Sequence, residues 1–306
     1  MTRRAFLRSS AAACALPLFA TDSLALFDFR RNFWINLHHF LYQQARLDRA
    51  DRDPAPGSPA WFAGVAYYNE NLIARNLLDD EWLVSIKQRL SGLSDRAPLR
   101  DAGLDPALEQ ALDLAAPVYR RLWWPQHDTA NAVWLQSQIP RLAEHGSRVA
   151  GEIGRVLDFP WPSGAVHTEI SYVSSPNGAY TTRHPLFLTI ASADPRNQGD
   201  AGFEILFHEA AHGVSGKLHR LLEAGLAARG KTKSTPPELE HAVLFYCVGE
   251  VVRQAIPGYV PYAQRMKLWD NPWPRLEPVI AHAFEPLIAS EGGALTLSIN
   301  SLIASI

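Results

Sequence analysis

The sequence predicts an α+β fold that is mostly α: a helical N-terminal layer, a small β-sheet, then a pair of long helices. Three observations lead there. Apolar residues recur at threes and fours through most of the chain before residue 158. Alternating segments are confined to residues 166–190. Beyond them, helical spacing returns over 203–221 and again over 243–251. The change of character near Phe159-Pro160-Trp161-Pro162 divides the chain into a helical subdomain, 26–158, and a second subdomain, 159–306.

Taken in order, residues 29–49 are expected to form the first helix, with Phe33, Leu37, Phe40 and Leu41 at helical spacing. Its adjacent His38 and His39 point about 100° apart, so as a pair they cannot chelate one ion. Structural or surface roles suit them better. A proline-rich loop over 53–59 precedes aromatic helices over 61–78 and 80–90. A further helix over 106–122 should stop at Trp123-Trp124-Pro125, because the residue before proline avoids helical angles. Asp128 then reads as the N-cap of a helix over 129–142, with His127 beside it in the loop. Residues 166–173, 179–182 and 185–190 are three short strands, the first two joined by the turn Pro176-Asn177-Gly178.

The chain start, Thr2-Arg3-Arg4-Ala5-Phe6-Leu7-Arg8 with an apolar run over 11–20, looks like a twin-arginine export signal. That run is too short to span a bilayer. Ser23-Leu24-Ala25 offers small residues for cleavage, which makes 1–25 the signal and places the mature start near Leu26. The resemblance implies an already folded protein carried by the twin-arginine export machinery to the periplasm or beyond. Without those residues, which hold Arg3, Arg4, Arg8 and Asp22, the net charge moves from −2 to −4. Such a chain has no electrostatic footprint for nucleic acid or an anionic membrane. No later apolar run is long enough for stable membrane insertion. Only Cys247 remains after residue 25, so no internal disulfide can form in the mature chain.

The chemistry concentrates in Phe203-Glu-Ile-Leu-Phe-His208-Glu209-Ala-Ala-His212, which contains His-Glu-x-x-His. Residues four apart on a helix share a face, so His208 and His212 can hold one metal ion between them. Glu209 sits one step round and can reach a water at that ion. The apolar positions Phe203, Leu206, Phe207, Ala210, Val214, Leu218 and Leu221 supply the buried face that the motif needs. This stretch resembles the HExxH zinc metallopeptidases, the zincins. That resemblance implies Zn2+ as cofactor and a small sheet whose edge strand pairs with an extended substrate backbone.

A catalytic zinc takes three protein ligands and a water. The motif helix is expected to continue to Arg229, with Gly230 as its stop, and a second helix over 236–255 to fold back on it. Pairing the two about residue 233 places Glu250 about 6 Å along the axis from His212, and His241 roughly 20 Å away. Gly249 beside Glu250 would permit close approach. Glu250 is therefore the expected third ligand. Two histidines and a following glutamate resemble the gluzincin branch, which includes thermolysin, over about a third of the chain. The 37 residues between His212 and Glu250 exceed the usual thermolysin gap. The rival is His219, in a metzincin-like pattern one residue too long; in an unbroken helix it lies about 10 Å beyond His212. His241 could donate to an oxyanion or orient Glu209. Tyr180 leads Tyr172 and Tyr246 as a hydroxyl donor, because Gly178-Ala179 gives it open surroundings.

The resulting expectation is a zinc-dependent hydrolase, a peptidase or other amidase. His208, His212 and Glu250 would hold the metal, Glu209 would be the general base, and Tyr180 or His241 would assist. The competing reading is an exported metal-binding or ligand-binding protein without turnover. A closed shell of four protein ligands, with His219 or His241 added, would favour it.

Overall fold

The computed structural model describes residues 25–47, 58–78, 80–174, 177–231, 238–290 and 293–306. The expected export signal lies outside these residues except for Ala25. The described chain is α+β and mostly helical.

Strand β1 (Phe27–Arg30) precedes helix α1 (Phe33–Arg46). The expected helix over 29–49 thus begins later than its apolar spacing suggests. Phe27-Asp28-Phe29-Arg30 alternates apolar and charged residues, a period-two pattern that the helical reading overran. Asn32 then starts α1, its side chain accepting from the Ile35 amide at 3.0 Å. Helices α2 (Pro59–Asn71), α3 (Glu81–Ser91) and α4 (Pro106–Leu122) pack around α1. Asp80 caps α3 through the Leu83 amide, and Asp105 caps α4. Their shared core includes Phe33, Leu37, Phe40, Trp61, Tyr68, Leu83, Leu108 and Tyr119.

Helix α5 (Trp124–Val156) differs from expectation. It starts at Trp124 and takes Pro125 into its first turn, where the missing amide proton costs nothing. Asp128 is therefore inside the helix and pairs with Arg31. His127 is not a loop residue either: it is buried, stacked on Tyr172 with 3.7 Å between ring centres. Although α5 falls in the expected first subdomain, Trp134, Leu142, Val149 and Ile153 pack in the core that holds the motif helix.

The sheet comprises β1, β2 (Val166–Ser171), β3 (Ala179–Thr182) and β4 (Phe187–Ala191) in the order β1-β2-β4-β3. β2 runs parallel to β1 and β4, while β3 is antiparallel to β4 and forms an edge. Alternation sends Phe187 of β4 into the first core and Leu188 and Ile190 into the second. A buried polar seam ties the layers: Asn36 accepts from Asn131 at 3.0 Å and from the Tyr172 amide at 2.8 Å, and Ser192 donates to Asn131 at 2.5 Å. Each of these polar groups is satisfied, which is what makes their burial tolerable.

The motif helix α6 (Asp200–Val214) stops at Ser215, and a separate helix, α7 (Gly216–Ala228), follows. It packs on α11 (Leu295–Ser305), beyond α9 (Tyr262–Arg265) and α10 (Leu276–Ala289). The expected single helix over 203–229 is thus two. Helix α8 (Leu239–Ala255) returns across α6 rather than along α7. Phe203, Phe207, Val248, Phe284 and Ile299 belong to the second core that joins these helices.

Candidate metal centre

The apolar face of α6, with Phe203, Leu206, Phe207, Ala210 and Val214, is buried in the second core. That orientation turns His208 and His212 toward α8, with 5.0 Å between their ring centres. His241, in the first turn of α8, meets them: its Nε2 lies 3.1 Å from Nε2 of His208. One ring nitrogen from each of His208, His212 and His241 falls within 4.8 Å of the others. These three histidines are close enough to bind a metal ion.

The donor chemistry suits that role. Two ligand nitrogens at 2.0–2.1 Å from a tetrahedral ion stand about 3.3 Å apart, near the 3.1 Å between the His208 and His241 nitrogens. All three rings are held neutral, as ligands must be. Burial drives His208 well below its ordinary range, with the charges of His212 and His241 adding to it. Burial, then His241 and Arg183, lowers His212 to about 3. His241 is lowered by burial against the opposing pull of Glu238 and Glu240. The other nitrogen of His208 is buried and has no hydrogen-bond partner among the described residues, where that ring's polar bonding runs through Nε2. Aromatic rings fix the cluster: Phe245 stacks on His208 at 3.7 Å, and Trp273 lies edge-on to His241 at 5.4 Å.

Glu209 completes the site from the sheet side. Its Oε2 lies 2.6 Å from the Thr181 hydroxyl on β3. Burial raises its carboxyl to about 7, against the opposing hydrogen bond from Thr181. A carboxyl so poised can both take and return a proton near neutrality. Glu209, His212 and His241 line a cavity of about 1180 Å³, bounded by β3, α3 and the segment that carries Tyr262, Leu268 and Trp273.

The remaining candidates sit elsewhere. Glu250 is held by Arg253 on its own helix, with Nε at 2.9 Å from Oε2. It lies nine residues from His241, about 13 Å along α8, too far to share one ion with it. The error lies in the assumed hairpin. Because α6 breaks at Ser215, α8 crosses α6 directly: His241 falls beside the histidine pair, and Gly249 beside Glu204. The close approach expected at Gly249 does occur, since a side chain there would meet Glu204 Oε1 at 3.2 Å and Pro261 at 2.9 Å. His219 is turned to Glu240, its Nδ1 2.7 Å from Oε2, outside the cluster.

The hydroxyl donors also rearrange. Tyr180 points to the opposite face of β3 from Thr181 and donates to His39 Nε2 at 2.6 Å, since His39 Nδ1 donates to the Ile35 carbonyl. It is fully buried and its hydroxyl is committed. Tyr172 stacks on His127, and Tyr246 packs near Trp269. Tyr262, which the sequence reading passed over, lines the cavity, and its hydroxyl makes no hydrogen bond among the described residues. Thr181 was also missed, although strand alternation opposite Tyr180 could have found it.

Comparison with family models, curated proteins and solved structures finds no match for this chain.

Proposed function

We propose that the protein is a zinc-dependent hydrolase acting on a peptide or similar amide. The observation that supports this most is the convergence of three neutral imidazoles with one buried carboxyl, Glu209, beside a cavity bordered by an edge strand. His208, His212 and His241 would hold the ion. Zinc there supplies Lewis acidity, polarising a carbonyl and acidifying a water.

The chain's own groups account for the rest. Glu209 takes the proton from water as its oxygen attacks the amide carbon, then gives that proton to the leaving nitrogen as the C–N bond breaks. Thr181 holds Glu209 against β3 meanwhile. The Tyr262 hydroxyl, on a residue that lines the same cavity, would be the donor to the oxyanion. Pairing with β4 uses the inward amides and carbonyls of β3, as in the bond from the Ala191 amide to the Gly178 oxygen. By antiparallel alternation, the backbone groups of Ala179 and Thr181 face the free edge, where an extended substrate can pair.

A closed structural site would need a fourth protein ligand. Among the described residues His219 is engaged by Glu240, and the cluster has three histidines with an open cavity beside them. These features favour turnover over storage. The deciding experiment combines metal analysis of the purified protein with digestion of a peptide library, with and without chelator. Zinc at one equivalent and chelator-sensitive cleavage are expected. A metal-loaded protein that cleaves no peptide or amide would overturn the reading.

A further inference from the structure

We propose that Arg183 forms a subsite for a carboxylate, so that the substrate carries an anionic carboxylate within about two residues of the bond it loses. The inference rests on the hydrolase reading above and narrows its substrate class. Arg183 is the first residue of the turn that follows β3, two residues after Thr181 at the end of that edge strand. It lines the same cavity as Glu209, His212 and His241.

Its guanidinium makes no hydrogen bond among the described residues. The nearest acid is Glu240, whose Oε1 stands 3.7 Å away, beyond hydrogen-bonding distance. Glu240 is already engaged: Ser215 donates to its Oε1 at 3.1 Å, and His219 meets its Oε2 at 2.7 Å. The other arginine of the cavity, Arg196, is forked onto Asp194 at 2.6 and 2.9 Å. Arg183 is thus the cation left with open donors among the described lining residues, and its side chain is 48% exposed. Five N–H groups in a planar fork match a carboxylate better than any neutral group. A substrate aligned along β3, with its labile bond beside Glu209, brings a group one or two residues farther on opposite Arg183. That group is either a terminal α-carboxylate or an Asp or Glu side chain.

The test uses the full chain loaded with zinc and two probes of equal length, succinate and succinamate, titrated by calorimetry. Each has one carboxylate for the metal; only succinate has a second for Arg183. The wild type should bind succinate at least tenfold more tightly, and R183M should lose that preference while its zinc affinity stays unchanged. Equal binding of both probes by the wild type, or a preference that survives in R183M, overturns the subsite and leaves the hydrolase reading standing. Failure to take up zinc overturns both. Digestion of matched peptides assigns the source: loss of cleavage on C-terminal amidation points to the α-carboxylate, and loss on Asp to Asn exchange to a side chain. Cleavage indifferent to both changes overturns the proposal.

Discussion

The Thr181 hydroxyl oxygen stands 2.6 Å from Oε2 of Glu209 and 2.7 Å from the Glu209 carbonyl oxygen. One proton therefore serves two acceptors in turn, and the edge strand holds the carboxyl in place. Replacing Glu209 by Gln should retain the metal and lower kcat by about 10²–10⁴, the usual share of a general base. T181V should lower kcat about tenfold with KM little changed, and T181S should restore most of it. Steady-state kinetics on any cleaved peptide, with metal content measured in parallel, checks both.

Metal affinity separates the two candidates for third ligand. H241A removes one of three converging imidazoles and should weaken zinc binding beyond the 10–100-fold typical for losing a supporting partner. E250Q breaks a pair between buried Glu250 and half-exposed Arg253 and should cost about 1–3 kcal/mol of stability, with zinc affinity unaltered. Competition with a chromophoric chelator measures both. Equal losses in the two variants would refute the assignment of His241.

A pH dependence follows from Glu204, fully buried one turn before His208. Its Oε2 accepts from Tyr259 at 2.7 Å and from the Tyr262 amide at 2.9 Å, while Oε1 has no hydrogen-bond partner among the described residues. Burial raises this carboxyl from 4.5 to about 7, with Glu250 adding to the effect and the two hydrogen bonds and Arg265 opposing it. The folded chain then holds a proton that the unfolded chain has lost. The contribution to stability is complete below pH 4.5 and is lost as pH rises through 7, a change of about 3 kcal/mol. E204Q should remove that share of the decline. Denaturant unfolding of the metal-free protein from pH 4.5 to 8 would show it, and identical slopes for both proteins would count against it.

Tyr180 should behave as a structural residue. Y180F leaves His39 Nε2 buried without a donor and should cost about 1–3 kcal/mol of stability. Zinc stoichiometry should stay at the wild-type value. Loss of zinc from a variant that still melts cooperatively would contradict this placement.

Much of the architecture was legible because its signals are local. The helix Pro106–Leu122 and the strand Ala179–Thr182 fall where their patterns place them. Pairing of β1 with β2 was not legible, because it joins residues more than a hundred positions apart through only four positions. The motif helix was readable from its spacing, and so was the facing of His208 and His212. The partner histidine was not, because the level at which α8 meets α6 depends on the break at Ser215. Gly213 and Gly216 flank that break, and the sequence permits it without requiring it. Tyr180 was misread for a different reason. Alternation sorts β3 into two faces, but only the packed structure shows that the Thr181 face meets the metal helix.

The indole of Trp273 rests against His241, which gives the molecule a built-in optical gauge. Fluorescence from that ring will dim when a paramagnetic ion such as Co2+ or Cu2+ settles among the imidazoles. Occupancy can then be followed in real time, before any natural substrate is known.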